Sequence, residues 1–179
     1  MIDFSGRGIT LSSQTKGIDF DLAGNGLLER ISWPVNAGNA FLIYNVPSSG
    51  LVTGDNMFGN YSVGPDGQVA KDGFAALAKF DSYRDDLIDS RDTIFSRLRL
   101  WSDLNRDGRV QNGELRTLAQ MGVAAIELNA VPVNENDMYG NTSTARASVH
   151  MTDNSVRVVS DIWFNPIRKS MLLKRAVRK

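Results

Sequence analysis

The stretch Asp103-Leu104-Asn105-Arg106-Asp107-Gly108-Arg109-Val110-Gln111-Asn112-Gly113-Glu114 governs the reading of this chain. It matches the twelve-residue calcium-loop pattern D-x-[DN]-x-[DN]-G-x5-E at every specified position. Calcium is a hard cation that takes about six to eight oxygens at about 2.3–2.6 Å. Asp103, Asn105 and Asp107 present side-chain oxygens at alternate positions, and Gly108 permits a sharp bend. Arg109 offers its backbone carbonyl, and Gln111 acts directly or through a water. Glu114 supplies two oxygens at once, so Ca2+ is the expected cofactor. A metal-free alternative stays open, because Asp and Asn also build hydrogen-bonded Asx turns.

One loop upstream, Asp81-Ser82-Tyr83-Arg84-Asp85-Asp86-Leu87-Ile88-Asp89-Ser90-Arg91-Asp92 follows the same outline less well. Asp81, Asp85, Asp89 and Asp92 occupy positions 1, 5, 9 and 12, and Leu87 sits where a backbone carbonyl would serve. Tyr83 replaces the ligand at position 3, Asp86 the glycine at position 6, and a shorter Asp the final Glu. This loop is either a second calcium site or a charged turn.

Hydrophobic spacing extends the pattern. Three helices are expected: Gly73 to Phe80 with Asp72 as N-cap, Arg91 to Trp101, and Gly113 to Met121 closed by Gly122. The stripe Ile94, Phe95, Leu98 and Trp101 marks one face of the second, and Leu115, Leu118 and Met121 one face of the third. The first positions of the two loops lie 22 residues apart, so one helix of about 16 Å would leave the first loop and enter the second. Short strands are expected at Gly8–Leu11, Ile18–Leu22, Ala40–Tyr44 and Ala125–Leu128. Thr144–Met151 and Val156–Phe164 alternate around the turn Thr152-Asp153-Asn154-Ser155, which predicts a β-hairpin. The expected fold class is therefore α+β. Its centre is a helix–calcium loop–helix–calcium loop–helix unit, flanked by short N-terminal strands and a C-terminal β-hairpin. Residues 1–164 form the domain and 165–179 a basic tail.

Composition narrows the chemistry. The chain has 179 residues, no cysteine and one histidine, which removes thiol nucleophiles, disulfides and Cys/His zinc sites. No run reaches the roughly 18 apolar residues of a membrane span, so an integral membrane protein is not expected. Met-Ile-Asp-Phe-Ser has no basic or apolar leader pattern, so a cleaved signal peptide is not expected either. The net charge of zero is divided: all 20 acidic residues lie at or before Asp161, and six of the 20 basic ones lie in the last twelve. An acidic body attracts cations; a basic tail fits a protein partner or an anionic surface. A specific nucleic-acid site is not expected, and the chain is read as a monomer. His150 falls on the polar face of its strand, as a surface residue does.

With those residues quoted, the chain resembles the EF-hand-like calcium-binding module of bacterial secreted RTX-type proteins. It is similar in particular to the self-processing module of the iron-regulated members. The resemblance runs over about residues 2–164. It rests on Phe20-Asp21-Leu22-Ala23-Gly24-Asn25-Gly26, Glu29-Arg30, Trp33, Met57-Phe58-Gly59, Asp72 to Ala78 and Phe80-Asp81-Ser82. Leu98 to Gly108, Gly113 to Leu118 and the strand Val159–Phe164 complete it. It implies a secreted, extracellular calcium module exported without a cleaved signal peptide. The loops at Asp3–Gly8, Asp21–Gly26 and Asn45–Gly50 depart from the pattern by losing ligands, although the resemblance leaves Asp21, Asn25 and Glu29 as a third candidate set. Self-processing in that family cleaves an Asp-Pro bond. The five prolines here follow Trp, Val, Gly, Val and Asn, so that cleavage, and an enzyme, are not expected. The competing readings are an enzyme using paired carboxylates, for which no pairing motif exists, and an interaction module with vestigial loops that works through its tail.

Overall fold

The computed structural model describes residues 1–167. In chain order the strands are β1 (Ile2–Asp3), β2 (Ile18–Phe20), β3 (Glu29–Ile31) and β4 (Asn39–Ile43). One helix, α1 (Gly73–Ala78), follows. Then come β5 (Leu87–Asp89), β6 (Arg99–Trp101), β7 (Leu115–Thr117), β8 (Val123–Glu127), β9 (Val131–Asn136), β10 (Thr142–Met151) and β11 (Val156–Trp163). The pairs are antiparallel, and the main sheet runs β5-β8-β10-β11-β1-β4-β6-β7. One edge of β10 is shared: β8 pairs with its C-terminal half and β9 with its N-terminal half. The β2–β3 ribbon stands apart, with Ile18 opposite Ile31.

The expected α+β architecture is overturned: the described residues form a mostly β fold, a curled antiparallel sheet, and no helix–loop–helix unit forms among them. Only the first of the three expected helices is α-helical. It is α1, and Asp72 caps it by accepting the Ala75 N–H at 2.7 Å. The second becomes a single 3-10 turn at Phe95–Arg97 and then β6; the third becomes β7 and a 3-10 turn at Ala119–Met121. Gly122 does end that segment in the left-handed region, at φ 70°. The helix expected to join the two loops therefore does not exist.

The reason lies in two hydrophobic clusters on opposite sides of the sheet. Ile94, Leu98 and Leu118 pack in one, together with Leu100, Ile88, Ile126 and Val149. Trp101 packs in the other, with Trp33, Phe41, Ile43 and Phe20, and Leu115 lies against it. A helix would hold Ile94, Leu98 and Trp101 on one face; a strand sends Leu100 and Trp101 to opposite faces. Pairing β6 on β4, with Phe41 opposite Trp101, satisfies both backbones and buries both sets. β4 is buried at all five positions, as a strand covered on both faces must be. Tertiary packing thus overrides a weak helical period.

The hairpin forms as expected, with His150 opposite Val156 and Asn154 at φ 66° in its turn. Of the expected early strands, Ile18–Phe20 and Asn39–Ile43 form; around residues 8–11 a single bridge joins Leu11 to Pro34. Among the described residues no helix is long and apolar enough to cross a membrane. Asn165 and Ile167 bond to the body: Asn165 donates its N–H to Asn141 Oδ1, and Ile167 exchanges backbone bonds with Arg30. The cationic stretch 168–179 lies outside the described residues.

Candidate functional site

The loop 103–114 joins β6 to β7, two strands paired Trp101 to Leu115. Asp103 organises it from the first position. Its Oδ1 accepts the Arg106 N–H at 2.7 Å, and its Oδ2 accepts the Gly108 N–H at 2.8 Å. Trp33 reaches across from the aromatic cluster and donates its indole N–H to the same Oδ2 at 2.8 Å. Burial pushes the Asp103 carboxyl above its ordinary value, although these donors and the Asp107 N–H pull the other way. Gly108 turns the chain at φ 74°, and a Cβ there would stand 2.7 Å from Ile18 Cδ1.

Glu114 closes the loop from the last position. It is buried, at 5% exposure, and spans the loop's two ends. Oε1 accepts the Leu104 N–H and Oε2 the Gln111 N–H, each at 3.0 Å. In the middle, Asp107 Oδ2 receives the Asn105 amide at 3.0 Å and also the Gln111 amide. Burial raises the Asp107 carboxyl, but the Gln111 amide, the Arg109 N–H and the Asn105 amide outweigh it and hold it below the usual range. Arg109 pairs its backbone with Leu51. Positions 3, 5 and 9 therefore meet at one point, while positions 1 and 12 hold backbone.

The 81–92 loop repeats that frame. Asp81 accepts the Arg84 N–H at 2.6 Å and the Asp86 N–H at 3.0 Å. Asp92, 3% exposed, accepts the Ser82 N–H at 2.8 Å and the Asp89 N–H at 3.1 Å. These are again positions 4 and 6 for the first carboxylate, and 2 and 9 for the last. Leu87 lies in β5, opposite Glu127 of β8. The difference is in the middle: Arg91 bonds both Asp85 and Asp89, the latter through Nε and a terminal nitrogen. Its guanidinium also lies over the Tyr83 ring, 5.4 Å from the centroid.

Two N-terminal loops keep only the opening of this frame. Asp21 accepts the Asn25 and Gly26 N–H groups at 3.0 and 2.8 Å, and the Asn25 side chain turns to Leu27 instead of joining Asp21. Glu29 begins β3. Asp3 accepts the Ser5 and Gly8 N–H groups at 2.9 and 2.7 Å. In all four loops the carboxylate reaches the N–H five residues on, where φ is positive: Gly8 86°, Gly26 81°, Asp86 63° and Gly108 74°. An anion gathering N–H groups at a left-handed turn is the physical unit repeated here.

The structure thus unites Asp103, Asn105, Asp107, Gln111 and Glu114 in one loop and Asp81, Asp85, Asp89 and Asp92 in another, and keeps Asp21 and Asn25 apart from both. Among the described residues no group of three or more carboxylate or imidazole side chains is placed to hold a metal ion. The convergence at Asp107 is of one carboxylate and two amides. The oxygen and nitrogen of an amide exchange by a half-turn, so the same rotamers can offer oxygens to a cation. Carboxylate and amide oxygens are of the kind a hard cation such as calcium takes. The residues that sequence reasoning missed are Trp33 and Arg91. Only the arginine at position 11, beside a tyrosine at position 3, gave any sequence signal. His150 lies at the rim of β10, with Nε2 2.7 Å from Glu127 Oε1.

A family model described as the SPM domain matches residues 1–165. The chain is also 35% identical over 164 residues to the iron-regulated protein FrpA of Neisseria meningitidis serogroup C. That match covers 90% of this chain but 15% of the relative, so the chain spans a small part of that protein's length.

Proposed function

The chain belongs to the SPM-domain family, and from that premise we propose that it is a calcium-stabilised structural module of a larger secreted bacterial protein. The observation that carries this reading is the meeting of Asn105, Asp107 and Gln111 at one point of the β6–β7 loop. Asn105, Asp107 and Gln111 would hold the ion through their side-chain oxygens, with Asp103, Glu114 and the Arg109 carbonyl beside them. Bound there, calcium would supply charge compensation: it offsets the repulsion among three acidic side chains in one turn and the burial of Asp103. Both effects favour the folded loop over the open chain, where the same carboxylates lie in water. The likeness to an iron-regulated protein agrees with the family resemblance that implied a secreted module.

Calcium titration of the purified chain by calorimetry tests this. One ion should bind to the wild type, and Asp107→Asn, which keeps the shape and removes the charge, should abolish or strongly weaken it. A ligand at 100 times its dissociation constant adds about 2.7 kcal/mol of stability, so the melting midpoint should rise with calcium in the wild type alone. A wild-type midpoint indifferent to calcium and to chelator would overturn the reading.

A further inference from the structure

We infer that Arg91 is a built-in cation for the 81–92 loop, holding in this loop the role that a metal ion would hold, so that the loop is closed without calcium. The frame of the loop is complete. Asp81 takes the N–H groups of Arg84 and Asp86, and Asp92 takes those of Ser82 and Asp89. Of the three remaining carboxylates, Asp86 turns to the Asn129 amide at 3.2 Å, while Asp85 and Asp89 face one positive group between them, the Arg91 guanidinium. Asp89 receives it through Nε at 3.0 Å and through a terminal nitrogen at 2.6 Å, and Asp85 receives that same terminal nitrogen.

The surroundings match a flat organic cation, not a spherical one. A calcium ion needs oxygen on every side, whereas a guanidinium carries its donors in one plane and leaves two apolar faces. Tyr83, at position 3, offers no side-chain carboxylate or amide oxygen but sets its ring beneath the guanidinium at 5.4 Å. The residue that spoils the loop as a metal site thus completes it as an arginine site. Held by its hydrogen bonds from the Arg91 side chain and backbone N–H, the Asp89 carboxyl stays below its usual range. The neighbouring loop shows the contrast: position 11 there is Gly113, which brings no charge, and at the centre two amides donate to the Asp107 carboxylate.

This inference does not rest on calcium binding at 103–114, and one experiment separates the two. Amide hydrogen exchange on the Asp107→Asn chain, which lacks the 103–114 site and so the global stabilisation by calcium, is read with chelator and with millimolar calcium. The amides of Ser82, Arg84, Asp86 and Asp89 should be equally protected in the two conditions, whatever those of Arg106 and Gly108 do. A calcium-dependent gain in protection at the first four would overturn the role given to Arg91. Arg91→Gln then removes the internal cation. In chelator its melting midpoint should fall by about 2–4 °C, and millimolar calcium should leave the gap to the wild type as wide. Arg91→Lys should fall between the two, keeping the charge without the flat face. A midpoint for Arg91→Gln equal to the wild type in chelator, or a deficit that calcium closes, would equally overturn it.

Discussion

In the 81–92 loop the charge between positions 5 and 9 is supplied by Arg91; in the 103–114 loop the corresponding place is filled by the Asn105 and Gln111 amides gathered on Asp107. The outer frames are the same. In both, the first carboxylate takes the N–H groups of positions 4 and 6, and the last takes those of positions 2 and 9. The difference teaches that the frame and the centre of such a loop are separable. Backbone hydrogen bonds to two carboxylates set the path of the chain. The centre then needs only some way of compensating charge, and two neighbouring loops use two ways. The supports differ too: α1 precedes the first loop, with β5 inside it, whereas the second closes a hairpin and receives the Trp33 indole.

The largest effects should come from the shared frame. Asp92→Ala and Glu114→Ala each leave two loop N–H groups without their carboxylate, and each should cost about 2–4 kcal/mol in urea unfolding. A cost confined to one of them would break the equivalence of the frames. Next is the contact peculiar to the second loop. Trp33→Phe keeps an aromatic ring in a cluster where Trp33 and Phe41 lie 4.8 Å apart, but removes the donor to Asp103. It should cost about 1–3 kcal/mol and, where calcium binds, should alter the calcium midpoint at 103–114 without touching protection at 81–92.

Acid should separate the loops by sign. Asp92 feels burial first, which raises it, but hydrogen bonds from the Asp89 N–H and Ser82 together hold it below its ordinary value. Its contribution is therefore present above the unfolded value of about 3.9 and lost as pH falls through the folded value. Burial raises Asp103, so its contribution is present below about 3.9 and lost as pH rises through its folded value. The deficit of Asp92→Asn should thus shrink on acidification, and that of Asp103→Asn should shrink on raising the pH. Melting curves of both variants across the acid range check this, and parallel slopes would contradict it. The smallest effect concerns position 6. Asp86 sits at φ 63° where the other loop has Gly108 at φ 74°. Asp86→Gly relieves the left-handed backbone but loses the Asn129 contact at 3.2 Å, so its net effect should stay within about 1 kcal/mol, measured as a urea midpoint.

Much of the site was legible before any coordinates. The spacing of Asp103, Asn105, Asp107, Gly108 and Glu114 marks one loop with its bend in the right place; Asp3–Gly8 and Asp21–Gly26 read only as loops that have lost ligands, and spacing does not foresee the carboxylate-to-glycine bond they share. What spacing left open was the partner of each oxygen. Position 1 and position 12 hold backbone N–H groups, and Arg91, with no place in a ligand pattern, occupies the centre of the other loop. The hairpin of β10 and β11 was legible for a different reason. Alternation over some eight residues per strand with turn residues between is a local signal that packing did not need to correct.

The sequence by itself determined the loops, the cap at Asp72, the left-handed stop at Gly122 and the long hairpin. Each of these is set by hydrogen bonds between residues near one another in the chain. Only the tertiary structure decided that β6 and β7 are strands. Leu98, Trp101, Leu115 and Leu118 satisfy a helical period as well as they satisfy burial on two sides of a sheet. The choice between them belongs to β4, more than fifty residues earlier, whose Phe41 and Leu42 pair with Trp101 and Leu100. A short segment cannot carry that information. The free energy that settles it is the burial of two clusters, and one of them holds Trp33 and Trp101 with almost no exposed surface.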